Sequence, residues 1–242
     1  RGTELGFDGV ELHIADPSPV DVCTLQETFK ETGTKLTGIG TGRAYVNEGL
    51  SLTDPNEENR RTAVKRLEQF LNMAEKFRAA VIIGCMRGNV SGPEELPRAL
   101  EHLKESMRYL DSVAGDLGVT IVFEPINRYE NNFLCSMAEI SAFIRENGLK
   151  NTGILMDTFH MNIEEADICA SIRENAEEIR YVHIADSNRL YPGGGHLNFA
   201  SILKALDGIG YHGVLSAECL PLPSKRTAAV SWLKNIKLFM EQ

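Results

Sequence analysis

Short apolar runs alternate with amphipathic segments along the whole chain. Seven of these runs predict strands near residues 9–14, 36–41, 79–86, 120–126, 152–158, 179–185 and 213–219. They lack strict polar alternation, which is typical of parallel strands buried on both faces. Between them, apolar positions at helical spacing predict amphipathic helices, including helices over about 54–78, over about 93–117, and from about 224 to the end.

The order of these elements predicts an α/β fold. Each of the seven strands is followed by a helix, and the opening RGTELGFDG indicates the end of a helix that leads into a strand. We therefore expect a (β/α)8 TIM barrel, one domain over residues 1–242, with its first strand and most of its first helix missing before residue 1. A doubly wound open sheet is the alternative, but no strand-to-helix turn carries GxGxxG or GxxxxGK[ST].

Four of the predicted strands end in a side chain that can bind a metal. These residues are Glu124 in IVFEPINRYE, Asp157 in ILMDTFH, His183 in YVHIADSNR and Glu218 in VLSAEC. The carboxyl ends of barrel strands meet at one mouth, where TIM-barrel enzymes place their active sites. Two glutamates, an aspartate and a histidine suit one divalent ion, with Mn²⁺ favoured and Co²⁺ or Mg²⁺ as alternatives.

Each of these residues also has a purely structural explanation. Glu124 suits a rim carboxylate paired with an arginine, Asp157 a helix cap, and His183 a buried histidine bonded to a backbone carbonyl. Glu218 is harder to explain, because a carboxylate among apolar residues on a buried strand costs several kcal/mol unless it is paired, protonated or metal-bound. Four separate coincidences at equivalent strand ends are less economical than one metal site.

Composition narrows the functional classes. A formal net charge of -9 disfavours a surface that binds nucleic acid through its phosphates. The apolar runs are too short to span a membrane and the start is not a signal peptide, so we expect a soluble cytoplasmic protein. Five cysteines form an odd set without CxxC spacing, which predicts reduced packing residues rather than a disulfide framework or a zinc ribbon.

The motifs around the four residues resemble a known family. EPINRYE, MDTFHMNIEE, HIADSNRLYPGGGH and ECLPLP, with the spacing of the four candidate ligands, resemble the D-tagatose 3-epimerase-like branch of the xylose-isomerase-like TIM barrels. The segments GTGRAYVNEGLSL, VIIGCMRG and ECLPLP are similar to the 5-keto-L-gluconate epimerases of this branch, which interconvert that uronic acid with D-tagaturonate.

The resemblance implies an isomerase with a sugar or sugar-acid substrate, assembled as a dimer or tetramer. It implies metal binding by Glu124, Asp157, His183 and Glu218. It also implies that three further side chains hold the hydroxyl and carbonyl oxygens of the sugar, namely Glu130, His160 and Arg189.

Epimerisation of a carbon next to a ketone explains why this set of residues is needed. The proton to be removed has a pKa in water far above that of any side chain, so the enediolate must be stabilised, and a divalent ion supplies that stabilisation. Two carboxylates on opposite faces of the substrate then act as base and acid. Glu124 and Glu218 suit this role because their strands are three apart around the barrel.

For a few residues near the mouth, the sequence allows both a functional and a structural role. Arg87, in MRG, is either a clamp for an anionic end of the substrate or a partner of a loop carboxylate, whereas for Arg43 the surface ion pair is favoured. Glu11 shares a strand face with His13 and is either a rim residue or a buried paired one. The glycine run GGG before His196 could form a phosphate cradle, but a turn is the simpler interpretation.

Three alternatives to a 3-epimerase remain at this level. An aldose-ketose isomerase such as hydroxypyruvate isomerase also forms an enediolate, but between the carbonyl carbon and the neighbouring carbon on the other side. A DNA-repair enzyme like endonuclease IV shares the barrel, but its three-metal cluster needs further histidines where this chain has GIGTGR and GCMRG. A non-catalytic sugar-binding protein would not need two candidate acid-base glutamates.

Overall fold

The computed structural model describes residues 2–241 and contains seven parallel strands, each at a position that the apolar pattern predicts. The strands are β1 (Gly9–His13), β2 (Lys35–Gly40), β3 (Ala80–Ile83), β4 (Ile121–Phe123), β5 (Thr152–Asp157), β6 (Ile179–Ile184) and β7 (Leu215–Ala217). Each pairs with the next in parallel, in the order β1 to β7. This consecutive order excludes the doubly wound sheet, whose strand order is permuted, and confirms the TIM-barrel prediction.

Helices follow the strands and form the outer layer. They are α1 (Gly2–Leu5), α2 (Val22–Thr32), α3 (Gly42–Glu48), α4 (Glu57–Glu75), α5 (Leu96–Leu117), α6 (Met137–Asn147), α7 (Thr158–Glu164), α8 (Ile168–Glu174), α9 (Phe199–Gly208) and α10 (Lys225–Met240). Short 3-10 helices span Cys85–Arg87 and Pro93–Glu95. Among the described residues, no helix combines the length and apolarity that a membrane crossing requires.

The long helix predicted over 54–78 begins later than its sequence suggests. Asn56, not Asp54, caps α4, because the Asn56 side chain accepts a hydrogen bond from the backbone N–H of Glu58. Asp54 instead accepts one from the backbone N–H of Asn56, which forms the turn that precedes the helix. The predicted end of α5 at Gly118 is confirmed, and this glycine has the left-handed φ of 63° that favours glycine at a C-cap.

Two hydrophobic layers follow from the strand periodicity. The small inner cluster fills the barrel with Ile82, Val122, Leu155 and Tyr181, one from each of four successive strands. The larger cluster lies between the strands and the helices. The Tyr181 hydroxyl crosses the barrel to bond Thr37 Oγ1 at 2.9 Å. Side chains alternate along each strand, so residues two further on, such as Asp157 after Leu155 and His183 after Tyr181, point into the mouth.

Within residues 2–241, β1 and β7 are the two outer strands and form no ladder with each other. The eighth strand expected before Arg1 stays a prediction. The five cysteines are all free thiols, as predicted.

At the opposite end of the barrel from the mouth, Asp111 holds α5 against the start of β5. Its buried carboxylate accepts hydrogen bonds from the backbone N–H groups of Lys150 and Asn151 at 3.0 and 2.9 Å, and from Thr152 Oγ1 at 2.7 Å. These bonds satisfy polar groups that would otherwise be buried without partners.

We predict that Asp111→Ala lowers the free energy of unfolding by about 3 kcal/mol, because several bonds to a charged acceptor are lost at once. Urea denaturation followed by circular dichroism measures this value. Asp116→Ala, on the exposed face of the same helix, serves as the control and should change it by about 0.5 kcal/mol or less. Equal losses in both variants would contradict the role of Asp111.

Candidate metal centre at the barrel mouth

The four strand-end residues meet in one place. Glu124 follows β4 and Asp157 ends β5, while His183 lies on β6 and Glu218 follows β7. One potential ligand atom from each of these residues lies within 4.8 Å of those of the other three. Ligand atoms on opposite sides of an ion, at bond lengths of roughly 2.0 to 2.6 Å, are about 4 to 5 Å apart. The spacing therefore fits a single divalent ion.

Two of the four residues present a buried ligand atom that has no hydrogen-bond partner. Asp157 Oδ1 caps α7 by accepting from the backbone N–H of Phe159 at 2.7 Å, but Asp157 Oδ2 is unpartnered. His183 Nδ1 makes no hydrogen bond either, although Glu218 Oε2 lies 3.2 Å away. Unsatisfied buried polar atoms of this kind cost roughly 1 to 3 kcal/mol each, and more when charged. A cation at this point would satisfy both atoms.

The charges of the site also favour a cation. Burial raises the pKa of Asp157 to about 6, and the negative charge of Glu218 adds to this rise. For His183, burial lowers the pKa, but the nearby carboxylates of Glu218 and Glu11 reverse this and leave it well above the usual value. The carboxylates thus stabilise positive charge on the one imidazole among them. A divalent ion supplies more of that charge than one proton does.

Glu11 is the carboxylate on the far side of His183. Its Oε2 atom lies 3.0 Å from His183 Nε2 and 3.5 Å from His13 Nε2, and its Oε1 atom accepts a hydrogen bond from Ser216 Oγ. Burial alone would raise the pKa of Glu11. The charge of His183 and these hydrogen bonds outweigh that effect and hold the pKa below its usual range. Of the two interpretations open from the sequence, the structure supports the buried paired carboxylate.

His160 and Glu130 are connected by Asn127, a residue that the sequence analysis did not single out. Asn127 Nδ2 donates to Glu130 Oε1 at 2.9 Å and lies 2.7 Å from His160 Nδ1, which also faces the backbone N–H of Asn127. With two donors at Nδ1, the His160 proton belongs on Nε2. That atom lies 3.9 Å from both Glu124 Oε1 and Asp157 Oδ2. His160 is therefore a buried hydrogen-bond donor beside the centre.

Arg189 reaches the centre from the loop after β6. Its Nη2 atom donates to Glu218 Oε2 at 2.7 Å, and its guanidinium lies 4.6 Å from the ring centroid of Phe159. Burial lowers the pKa of Arg189, but Asp157 and Glu218 raise it more. Nη1 is buried and has no hydrogen-bond partner among residues 2–241, which leaves a donor available beside Glu218.

The loop that carries Arg189 is held by Asp186, whose buried carboxylate accepts from the backbone N–H groups of Ser187, Gly193 and Leu197. A Cβ atom on Gly195 would lie 2.3 Å from Asp186 Oδ1, so this turn requires glycine at that position. His196 is exposed and bonds Ser187 Oγ at 2.9 Å. The glycine run thus shapes a turn.

Gly84, at the end of the neighbouring strand β3, leaves space for the carboxylate of Glu124. A Cβ atom on Gly84, just after β3, would lie 2.7 Å from Glu124 Oε2. Real Cβ atoms essentially never approach that closely. The position of the Glu124 carboxylate therefore depends on a glycine that the sequence shows only as part of VIIGCMRG.

Arg87 occupies a different position from the one expected of a clamp. Its side chain has no exposed surface, and it donates to the backbone carbonyl of Glu124 at 2.8 Å and to Asn131 Oδ1 at 3.0 Å. Phe123 and Phe133 lie beside the guanidinium. Because its Nε and Nη1 donors are used by Asn131 and by the backbone of Glu124, this geometry favours a structural role over the anion clamp. Arg87 supports the backbone of Glu124 instead.

Comparison with known proteins finds sugar epimerases that match most of this chain. A ketose 3-epimerase from Arthrobacter globiformis is 36% identical over 224 residues, which cover 89% of this chain and 74% of that protein. A 3-dehydro-D-guloside 4-epimerase from Escherichia coli is 30% identical over 227 residues, covering 89% and 83%. These relatives are sugar epimerases, which confirms the prediction of an isomerase-class enzyme.

Solved structures agree. The apo crystal structure of 3-keto-D-glucoside 4-epimerase from E. coli superposes with a TM-score of 0.87 at 26% identity, covering 98% of this chain and 91% of that one. The pattern of the family described as xylose isomerase-like TIM barrel matches residues 2–236, nearly the whole chain. This protein therefore belongs to the xylose isomerase-like TIM barrel family.

Proposed function

We propose that this enzyme is a divalent-metal-dependent 3-epimerase of a ketose or ketouronate. The observation that carries the proposal is the convergence of Glu124, Asp157, His183 and Glu218, two of which present buried ligand atoms without a partner. The ketose 3-epimerase among the relatives supports this reaction. D-tagatose, D-psicose and the pair 5-keto-L-gluconate and D-tagaturonate are the substrates to test.

The four convergent residues would hold the ion, and Mn²⁺ fits their mainly oxygen donor set best, with Co²⁺ or Mg²⁺ as alternatives. When bound, the ion would stabilise the negative charge of the enediolate.

Proton transfer belongs to the two glutamates. Glu124 and Glu218 follow strands that are three apart in the barrel, so a sugar between them would present opposite faces of its reacting carbon. One carboxylate removes the proton from one face, and the other delivers a proton to the opposite face, which inverts the configuration. The direction of the reaction decides which glutamate acts as the base.

Donors beside each glutamate would hold the oxygens of the substrate. Arg189 has a free Nη1 donor next to Glu218, and His160 presents its Nε2 side to Glu124. Glu130, linked to His160 through Asn127, would bind a hydroxyl group. These contacts orient the sugar and place the reacting carbon between the two carboxylates.

A second candidate is epimerisation at C4 of a 3-keto sugar, because the E. coli relative is a 4-epimerase. The chemistry is the same, since the inverted carbon again lies next to a ketone. An aldose-ketose isomerase would instead move the proton between two carbons.

Solvent deuterium incorporation separates these reactions. In D₂O with Mn²⁺, we expect D-tagatose or D-psicose to gain deuterium at C3 and to form the C3 epimer, measured by NMR. Exchange at C4 of a 3-keto sugar, with 2-ketoses inert, would favour the second candidate. Exchange confined to C1 of the ketose, with deuterium at C2 of any aldose product, would exclude 3-epimerisation.

Replacing either acid-base glutamate should abolish turnover. We expect Glu124→Gln and Glu218→Gln to lower kcat by about 100- to 10,000-fold, the usual contribution of general acid-base catalysis. Turnover should stop even in samples whose bound Mn²⁺ is verified by elemental analysis. Glu101→Gln, at an exposed helix position paired with Lys104, is the matched control and should keep wild-type kcat. A metal-loaded Gln variant with more than a tenth of wild-type kcat would refute the pair.

The metal should also stabilise the fold. At 100 times its Kd, Mn²⁺ should add about 2.7 kcal/mol to the free energy of unfolding, and EDTA should reverse the gain. Thermal denaturation with and without Mn²⁺ measures the effect. His183→Ala should remove most of it, whereas the exposed His212→Ala should preserve it. A wild-type protein indifferent to Mn²⁺, Co²⁺ and Mg²⁺ would contradict the metal centre.

A further inference from the structure

Glu11 contacts the candidate metal centre without belonging to the ligand set. It lies on β1, and its side chain is 7% exposed. Its Oε2 atom is 3.0 Å from His183 Nε2, the nitrogen that faces away from the centre. The other ring nitrogen, Nδ1, lies 3.2 Å from Glu218 Oε2 and 3.6 Å from Glu124 Oε1. The imidazole is therefore held between one carboxylate behind it and the centre in front.

The chemistry of this contact constrains the histidine. An ionised carboxylate only accepts hydrogen bonds, so His183 Nε2 must carry the proton that it donates to Glu11. Once Nε2 is the donor, Nδ1 can offer its lone pair to a metal ion. Hydrogen bonds of this kind to the outer nitrogen fix the ring orientation and raise the basicity of a histidine ligand.

Further contacts hold the Glu11 carboxylate in place. Ser216 Oγ, on β7, donates to Oε1, and His13 Nε2 lies 3.5 Å from Oε2. His13 in turn packs against β2, where a Cβ atom on Gly40 would lie 2.4 Å from its Nδ1 atom. Glu11 thus meets groups from β1, β6 and β7, which restrict its position more than a surface pair would.

We propose that Glu11 is a positioning residue, which sets the tautomer and orientation of His183 for metal binding. This inference rests on the proposed metal centre. Glu11 is not one of the four candidate ligands, so its loss should act mainly on metal affinity. Groups in this position typically contribute 10- to 100-fold to metal affinity or activity.

Isothermal titration of the metal-free protein with Mn²⁺ tests the proposal. We expect Glu11→Ala to weaken Mn²⁺ binding by about 10- to 100-fold and the isosteric Glu11→Gln by about 10-fold. Gln loses the charge, and its amide group can donate as well as accept, so it no longer enforces a proton on Nε2. With Mn²⁺ raised above the weakened Kd, epimerase turnover of Glu11→Gln should recover to within about threefold of wild type.

Glu178→Gln is the matched control. Glu178 is also a buried glutamate, paired with Arg145 at 2.6 Å, and it directly precedes β6 at the end opposite to His183. This variant should lower the melting temperature but leave the Kd for Mn²⁺ unchanged. A purely structural role for Glu11 would give the same result as Glu178→Gln.

The possible outcomes separate the two proposals. If wild type binds Mn²⁺ and a folded Glu11→Gln binds it equally well, the role of Glu11 is wrong and the metal centre stands. If wild type binds none of Mn²⁺, Co²⁺ and Mg²⁺, the metal centre itself fails. If Glu11→Ala does not fold, the result for Glu11→Gln decides the test. Ser216→Ala removes one hydrogen bond to Glu11 and should weaken Mn²⁺ binding in the same direction, by a smaller factor.

Discussion

Mutual repulsion among three carboxylates in one small, largely buried space is the constraint on which the rest of this structure depends. Nearby positive charge is needed to hold Glu124, Asp157 and Glu218 together, because burial and the charge of Glu218 already raise the pKa of Asp157. Arg189 and His183 supply part of that charge within the protein. A divalent ion held by the four convergent residues would supply the remainder.

The barrel separates the groups that hold it together from those that do chemistry. Asp111 satisfies the backbone where β5 begins, whereas Asp157 faces the mouth where β5 ends. Hydrogen bonds hold the long loops at the mouth, and Asp186 provides several of them in the loop that carries Arg189. Small residues such as Gly84 keep space for the carboxylates. The candidate site is therefore built on strand ends and on hydrogen-bonded turns.

The sequence predicted the strands and the meeting of the four strand-end residues because both depend on local pattern. A buried strand is an apolar run, and a polar residue at its carboxyl end has one mouth to face. Contacts between distant segments leave no such pattern. Glu11 and His183 are 172 residues apart, and Asn127 and His160 are 33 apart. The burial of Arg87 was equally invisible, since an arginine after a strand suits an exposed clamp or a buried support equally well.

The hydrogen bond between Ser216 and Glu11 joins β7 to β1, the two strands that form no ladder with each other in residues 2–241. The Glu11 carboxylate that makes this contact is the same one that orients His183. One side chain therefore both connects the first and last described strands and contacts a candidate metal ligand.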